Sequence, residues 1–249
     1  MPRTAIVIDT LDGSCPVSLF EPEGEGRWPA VIFYMDGLGI RPALFDMGER
    51  MASAGYLVLL PDLFYRTGPT DPEEGRRMLF GGEETRRAWL EKHIAPLTVD
   101  RVMRDTAALL DHLDGRSDVA RPSIGTTGYC MSGRFSLAAA GNFPDRVAAA
   151  ASFHGAWLVT DSPESPHRLA PQMRARVYVA GAIEDASFTD EMKRQLDEAL
   201  TAAGVEHTVE TYAGARHGWV PSDTPVHNPA AAERHWQALF GLWDATLRG

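Results

Sequence analysis

The sequence contains only two cysteines, Cys15 and Cys130, among 249 residues. Two cysteines cannot build a disulfide framework, and their spacing does not form a Cys-x-x-Cys metal or redox motif. Because extracellular domains of small size depend on disulfides and cytosolic ones do not, this scarcity favours a cytoplasmic location. We expect a structural role for Cys15, which has no base or metal ligand near it in the sequence.

Long apolar runs and an excess of basic residues are also missing. No segment reaches the roughly 18 apolar residues of a membrane span, and residues 1–9 hold too few apolar residues for a signal peptide. The 24 Lys and Arg against 34 Asp and Glu give a formal net charge of −10. Because no basic stripe is present, a nucleic-acid partner is not expected. Because the apolar segments are too short, neither export nor membrane insertion is expected.

Hydrophobic patterning predicts strands that alternate with helices, without an internal repeat. The turn at residues 12–14 separates two short strands, which predicts an antiparallel hairpin at a sheet edge. Such alternation predicts an α/β three-layer sandwich with a mostly parallel sheet, formed by a single domain over residues 1–249. Strands are predicted at 4–9, 15–20, 29–35, 56–60, before Cys130, 147–153, 176–181 and 207–212, with helices at 44–54, 102–113, after Cys130, 192–203 and 232–243.

One polar section, residues 66–100, interrupts this alternation. Glycine and proline punctuate it, yet it still holds apolar residues such as Phe80 and Trp89 that need packing partners. We predict loops and short helices that form a cap-like insertion over a pocket. A plain surface insertion without a role in the pocket is the alternative.

The run from Ser123 to Arg134 has the layout of a nucleophile elbow. Gly128 and Ser132, two residues before and after Cys130, are small, as the tight turn between strand and helix requires. A thiolate at a helix N-terminus is favoured by the positive end of the helix dipole. Cys130 is therefore a candidate nucleophile, although a buried cysteine can also serve as a small apolar filler.

Other polar residues are expected at the same edge of the sheet, beyond the carboxyl ends of parallel strands. Cys130, Asp185 and His217 follow the chain order of nucleophile, acid and histidine in α/β hydrolases. His217 can accept the thiol proton, and Asp185 or its neighbour Glu184 can orient the imidazole, with Asp185 preferred for its shorter side chain.

Two backbone N–H groups and one further histidine are additional candidates for the site. The N–H groups of Met131 and Gly37 are candidate oxyanion donors. The remaining histidines lack paired ligand spacing, so a metal site is not expected. His154, at a predicted strand end, is the one that we retain as a candidate for a role in the site.

The sequence resembles the dienelactone hydrolase family, through Gly128–Gly133, Gly181–Asp185 and Arg216–Trp219. The resemblance implies an α/β-hydrolase fold and ester or lactone hydrolysis by a Cys-His-Asp triad, without metal or cofactor. It also implies that Asp36, where family members have glutamate, contacts the thiol, and that Arg66 binds a carboxylate of the substrate.

A second arginine of the family, expected shortly after the histidine, is replaced here by Gly218–Pro221. The sequence therefore predicts a cytoplasmic hydrolase of a small ester or lactone, including carboxylate-bearing ones, whose oligomeric state, monomer or dimer, is open. The alternatives are a non-catalytic α/β-hydrolase-fold protein that binds a small molecule, and an acyl transferase.

Overall fold

The computed structural model describes residues 3–248, which form eight strands in one sheet and the helices around it. The strands are β1 (Arg3–Thr10), β2 (Gly13–Phe20), β3 (Ala30–Tyr34), β4 (Leu57–Pro61), β5 (Ile124–Tyr129), β6 (Val147–Phe153), β7 (Arg176–Gly181) and β8 (His207–Thr211). The helices are α1 (Pro42–Ser53), α2 (Pro72–Phe80), α3 (Glu83–Trp89), α4 (Val99–Asp114), α5 (Gly133–Asn142), α6 (Pro166–Leu169), α7 (Asp190–Ala202) and α8 (Pro229–Leu247). Short 3₁₀ segments span Leu63–Thr67, Cys130–Ser132 and Ala170–Gln172, and a π-helical turn spans Leu90–Ile94.

The order of the strands in the sheet is β1-β2-β4-β3-β5-β6-β7-β8. β1 and β2 form an antiparallel hairpin in which Thr10 pairs with Gly13, and β2 is antiparallel to β4. All neighbouring strands from β4 to β8 are parallel. The predicted mostly parallel sheet with a short N-terminal antiparallel hairpin is thereby confirmed.

The centre of the sheet is apolar on both faces. Every residue of β3, β4 and β5 is buried, which is typical of parallel strands covered by helices on either side. One hydrophobic core extends from Ile8 to Leu247. Residues 1, 2 and 249 of the predicted single domain (1–249) lie outside the described residues.

The parallel strands bring four distant loops to one edge of the sheet. Asp36 follows β3, Cys130 follows β5, Asp185 follows β7 and His217 follows β8. Because β3, β5, β6, β7 and β8 are adjacent and parallel, their carboxyl ends share this edge. The edge is the place where the fold can assemble a site.

The section at 66–100 contains α2, α3 and the π-helical turn. Trp89, at the end of α3, is buried and donates its indole N–H to the carbonyl oxygen of Gly37 at 2.9 Å. Phe64 packs edge-on against the same indole. The section is thus anchored to the loop that follows β3, and its role as a cap over a pocket stays a prediction.

Candidate active site

Cys130 lies at a sharp turn between β5 and α5, with a φ of 55°. A side chain at Gly128 would collide with the carbonyl oxygen of Ser132, so only glycine fits there. The Ser132 hydroxyl accepts the N–H of Tyr129 at 3.1 Å and donates to the carbonyl oxygen of Tyr34 at 2.9 Å. Ser132 therefore has a role beyond its small size, because its hydroxyl joins the turn to β3 by a hydrogen bond.

The backbone of Cys130 is held from two directions by the loop after β6. Its N–H donates to Nδ1 of His154 at 3.1 Å, and its carbonyl oxygen accepts the N–H of Ala156 at 2.9 Å. A positive φ is costly for a residue other than glycine and persists where the surroundings impose it. These two hydrogen bonds hold Cys130 in its positive-φ conformation.

His217 is hydrogen-bonded to Asp185 beside the turn. The Nδ1 atom of His217 lies 2.8 Å from Oδ2 of Asp185. The other oxygen of Asp185 accepts the N–H and the hydroxyl of Ser187, at 2.9 and 2.6 Å. Burial would raise the pKa of the Asp185 carboxyl, but the bonds with His217 and Ser187 outweigh it and lower that pKa. Asp185 is thus fixed and ionised at neutral pH.

The neighbouring acid, Glu184, takes a different position. It has a φ of 52° and lies at the surface, with its carboxylate 3.4 Å from the guanidinium of Arg216. Its side chain is 71% exposed, whereas that of Asp185 is 4% exposed. Of the two acids, Asp185 is the one that contacts His217.

The charge state of His217 depends on its neighbours. Burial would lower the pKa of the imidazole, but the negative charge of the Cys130 thiolate and hydrogen bonds with Asp185 and Cys130 raise it to about 10. An imidazolium next to a thiolate and a carboxylate is consistent with this direction. The arrangement therefore favours an imidazolium at His217 at neutral pH.

The sequence makes His154 a candidate only through its place at a predicted strand end. Its hydrogen-bond partner in the structure could not be predicted. It is 1% exposed and has a φ of 40°. Burial and the charges of His217 and His235 hold its pKa well below the ordinary value. Because Nδ1 accepts the N–H of Cys130, the neutral ring carries its proton on Nε2, which has no hydrogen-bond partner among residues 3–248.

The two predicted oxyanion donors lie in buried backbone next to this turn. Met131 follows Cys130 and is fully buried. Gly37 lies in the loop after β3, where its carbonyl oxygen accepts the indole of Trp89, and its N–H makes no hydrogen bond within residues 3–248. The N–H of Cys130 itself is occupied by His154. Their role as oxyanion donors stays a prediction.

Asp36 forms a buried ion pair that the sequence did not indicate. Both of its carboxylate oxygens accept from the guanidinium of Arg41, at 2.6 and 2.8 Å. Arg41 also donates to Asp223 at 2.7 Å, in the loop that follows His217. Asp36 and Arg41 are 4% and 2% exposed. No hydrogen bond joins Asp36 to Cys130 in the described part of the chain, and its contact with the thiol stays a prediction.

Arg66 lies in a second ionic cluster, near the N-terminal hairpin. Its guanidinium binds both carboxylate oxygens of Asp105, at 2.6 and 2.8 Å, and also pairs with Asp12 at 2.8 Å. The side chains of Arg66 and Asp105 are 9% and 1% exposed. The structure does not bring Arg66 into contact with Cys130 or His217, so its predicted role in carboxylate binding stays a prediction.

Between residues 3 and 248, no group of three or more His, Cys, Asp or Glu side chains is arranged to hold a metal ion. Over the same range, no helix has the length and apolar content needed to cross a bilayer.

Known proteins resemble this chain over nearly its whole length. The model of the dienelactone hydrolase family matches residues 16–247. A "Putative carboxymethylenebutenolidase" of Synechocystis sp. is 28% identical over 92% of this chain and 91% of its own length. The carboxymethylenebutenolidase of Rhodococcus opacus is 24% identical over 94% of this chain and 88% of its own.

Solved structures give the same fold. The crystal structure of a "Putative Dienelactone Hydrolase" from Klebsiella pneumoniae superposes with a TM-score of 0.84 at 22% identity, and covers 97% of this chain and 98% of its own. This likeness confirms the α/β-hydrolase fold that the sequence predicted. Because the family model spans almost all of the described residues, the chain belongs to the dienelactone hydrolase family and is a hydrolase.

Proposed function

We propose that this protein hydrolyses a small ester or lactone through an acyl-enzyme on Cys130. The observation that carries the proposal is the 2.8 Å hydrogen bond between Asp185 and His217, beside a cysteine held at a positive φ. A nucleophile, a base and an orienting acid in this relation are the parts that covalent acyl transfer requires. The names of the relatives support carboxylic esters and lactones as the substrate class.

Acylation begins with attack of the Cys130 thiolate on the carbonyl carbon of the substrate. The carbonyl electron pair moves to oxygen, and the resulting oxyanion is bound by the N–H groups of Gly37 and Met131. When the electron pair returns, the bond to the ester oxygen breaks and His217 donates its proton to the departing alkoxide. In a lactone this alkoxide stays attached to the acyl group.

Deacylation uses the same groups in reverse. Neutral His217 removes a proton from water, and the hydroxide attacks the thioester carbon. The carbon–sulfur bond then breaks, the carboxylic acid leaves, and the thiolate–imidazolium pair is restored. Asp185 holds the Nδ1 proton of His217 throughout, so that Nε2 faces the reaction.

A cytoplasmic location and a small-molecule partner belong to the same proposal. Both thiols are free, and burial raises the pKa of Cys15 to about 12, so Cys130 is the reactive one of the two.

The section at 66–100 is proposed to cover the pocket, since Trp89 anchors it to the loop of Gly37.

Turnover of aryl esters by variants of Cys130 tests this function. Cys130→Ala should abolish hydrolysis of 4-nitrophenyl acetate, while Cys130→Ser retains a small fraction because the base remains. Cys15→Ser is the matched control and should keep full activity. Stoichiometric alkylation of Cys130 without turnover on a broad panel of esters would instead indicate a binding protein. Transfer of the acyl group to added alcohols in preference to water would indicate an acyl transferase.

A further inference from the structure

Arg41 is the N-cap residue of α1, directly before Pro42. Helices usually begin at Ser, Thr, Asp or Asn, whose side chains accept a hydrogen bond from the first turn. An arginine cannot accept such a bond, and the side chain of Arg41 makes no capping bond. It is instead buried, with 2% of the side chain exposed. The start of the helix therefore does not explain this residue, and its role must come from the partners of its guanidinium.

All five N–H donors of the Arg41 guanidinium are bound. Nη1 donates to Oδ1 of Asp36 at 2.6 Å and to the carbonyl oxygen of Gly39 at 3.1 Å. Nη2 donates to Oδ2 of Asp36 at 2.8 Å and to Oδ1 of Asp223 at 3.1 Å, and Nε donates to Oδ2 of Asp223 at 2.7 Å. Arg41 thus joins the loop after β3 to the loop after β8. Because no donor is left, it cannot bind an anionic substrate.

The contacts with Arg41 fix the loop that carries Gly37. The N–H of Leu38 donates to Oδ1 of Asp36 at 3.0 Å, and the N–H of Gly39 donates to the carbonyl oxygen of Asp36 at 3.2 Å. This carbonyl and the N–H of Gly37 belong to one planar peptide group. The direction of the Gly37 N–H is therefore set by Asp36 and Gly39, and both of these residues are bound by Arg41.

Asp223 connects Arg41 to the loop of His217. Thr224, the next residue, donates its hydroxyl to the carbonyl oxygen of Gly218 at 2.8 Å. Gly218 follows His217 directly and has a φ of 99°. Burial would raise the pKa of the Asp223 carboxyl, but the hydrogen bond and the charge of Arg41 lower it. The ion pair of Arg41 and Asp223 thus reaches the backbone next to the imidazole.

A contribution to stability alone is a weak explanation for this bridge. The side chains of Arg41 and Asp36 are 2% and 5% exposed. Removing such charges from water is costly, and apolar residues of similar volume often stabilise a protein more. Asp223 also pairs with Arg76 of α2 at 3.0 Å, so the bridge continues to the section at 66–100. Directional hydrogen bonds from a rigid guanidinium supply what apolar packing cannot, which is a fixed relation between the loops.

We infer that Arg41 is a positioning residue that holds the N–H of Gly37 and the imidazole of His217 in a fixed relation across the substrate carbonyl. The inference rests on the proposed function, in which Gly37 binds the oxyanion and His217 transfers the proton. Both groups act on the same tetrahedral intermediate. A displacement of about 1 Å between such groups can cost about a hundredfold in rate. Arg41 acts through the backbone of the two loops and does not touch the substrate.

Acylation and alkylation of Cys130 distinguish this role from a general loosening of the fold. Acylation by 4-nitrophenyl acetate forms an oxyanion, whereas iodoacetamide loses iodide to the thiolate without forming one. In Arg41→Lys, which keeps the charge but not the planar fork, the acylation rate at saturating ester should fall about a hundredfold. The alkylation rate should change less than about threefold, since the charge of His217 acts on the thiol without strict geometry. An equal fall in both rates, or no fall in acylation, overturns the inference.

Arg50→Lys is the matched control for these rates. Arg50 also belongs to α1, and its guanidinium pairs with Glu233 at the surface, at 2.8 Å. Both rates should keep their wild-type values in this variant. If Arg41→Lys does not fold, Asp223→Asn replaces it, because this change weakens the bridge at its partly exposed end. Acylation should then fall roughly tenfold with unchanged alkylation, and unchanged acylation overturns the inference.

Hydrogen exchange of the backbone tests the two loops without turnover. In Arg41→Lys, the N–H groups of Leu38 and Gly39 and those of residues 218–228 should exchange at least about tenfold faster than in the wild type. Those of β7 should not change, and Arg50→Lys should match the wild type throughout. Unchanged exchange in either loop overturns the inference. If the wild type is not acylated, the proposed function fails, while this experiment still decides whether Arg41 holds the two loops.

Discussion

The N–H of Cys130 donates to Nδ1 of His154 across 3.1 Å, and both residues have positive φ values, 55° and 40°. This bond fixes the backbone of Cys130 and occupies its N–H. It requires a neutral His154, which burial and the nearby charges of His217 and His235 maintain. His154 is therefore a positioning residue of the candidate site.

Substitution of His154 tests this role. His154→Leu removes the acceptor and leaves a buried N–H unpaired, which should lower the free energy of unfolding by roughly 1–3 kcal/mol. His154→Asn can keep an acceptor and tolerates a positive φ, so it should retain most of the stability. Urea denaturation of both variants gives the two values, and the alkylation rate of Cys130 should fall in the Leu variant alone. Equal behaviour of the two variants would contradict the role.

The raised pKa of His217 predicts that its imidazole stays doubly protonated over a wide range of pH. A pKa of about 10 lies above the ordinary value of 6.5, so the imidazolium persists as the pH rises from 7 to 9. It is lost only as the pH approaches 10. In an NMR titration, the ring nitrogens of His217 should therefore keep their imidazolium shifts from pH 7 to 9.

The control for this titration is Cys130→Ala, which removes the thiolate that raises the pKa of His217. In this variant the imidazole should lose its proton at a lower pH than in the wild type. Deprotonation of His217 below pH 8 in the wild type would contradict the raised pKa.

Arg41 should contribute strongly to stability because it is the shared partner of Asp36 and Asp223. Arg41→Met leaves the buried Asp36 carboxylate without its counter-charge, and we expect a loss of about 3–5 kcal/mol in the free energy of unfolding. The double variant with Asp36→Leu should recover part of this loss, since no buried charge then remains unpaired. Urea denaturation measures both. A loss below about 1 kcal/mol for Arg41→Met would argue against the buried pair.

Substitution of Arg66 distinguishes its observed ion pairs with Asp105 and Asp12 from its predicted role in binding a substrate carboxylate. Arg66→Gln leaves the carboxylate of Asp105, which is 1% exposed, without a counter-charge, although the Tyr65 hydroxyl still donates to it. Stability should therefore fall by about 3–5 kcal/mol. The ratio of kcat/KM between mono-4-nitrophenyl adipate, whose acyl chain ends in a carboxylate, and 4-nitrophenyl hexanoate should stay near its wild-type value. A selective rise in KM for the adipate without loss of stability would instead support Arg66 as the carboxylate anchor.

The hydrophobic pattern of the sequence predicted the layers and the strands well. Runs such as 29–35 and 56–60 became β3 and β4, because strands in the middle of a parallel sheet are buried on both faces and are therefore continuously apolar. The turn at Gly128–Ser132 was also predictable, since its small residues are a local steric requirement. Asp185 and His217 were candidates because strand ends converge in parallel sheets.

The ionic partners could not be predicted in the same way. Arg41 and Asp223 are 182 residues apart, and no spacing rule relates them. Asp105 lies on α4, where it faces Arg66 rather than solvent. Long charged side chains choose partners through tertiary contacts, which local sequence patterns do not record.

Trapping of the acyl-enzyme shows whether Cys130 is acylated by the substrate. The protein is mixed rapidly with excess 4-nitrophenyl acetate, quenched in acid and digested, and its peptides are examined by mass spectrometry. We expect one acetyl group on the peptide that contains Cys130, formed at the rate of the 4-nitrophenolate burst and absent from Cys130→Ala. Turnover at the wild-type rate by Cys130→Ala, without an adduct on the wild-type peptide, would contradict it.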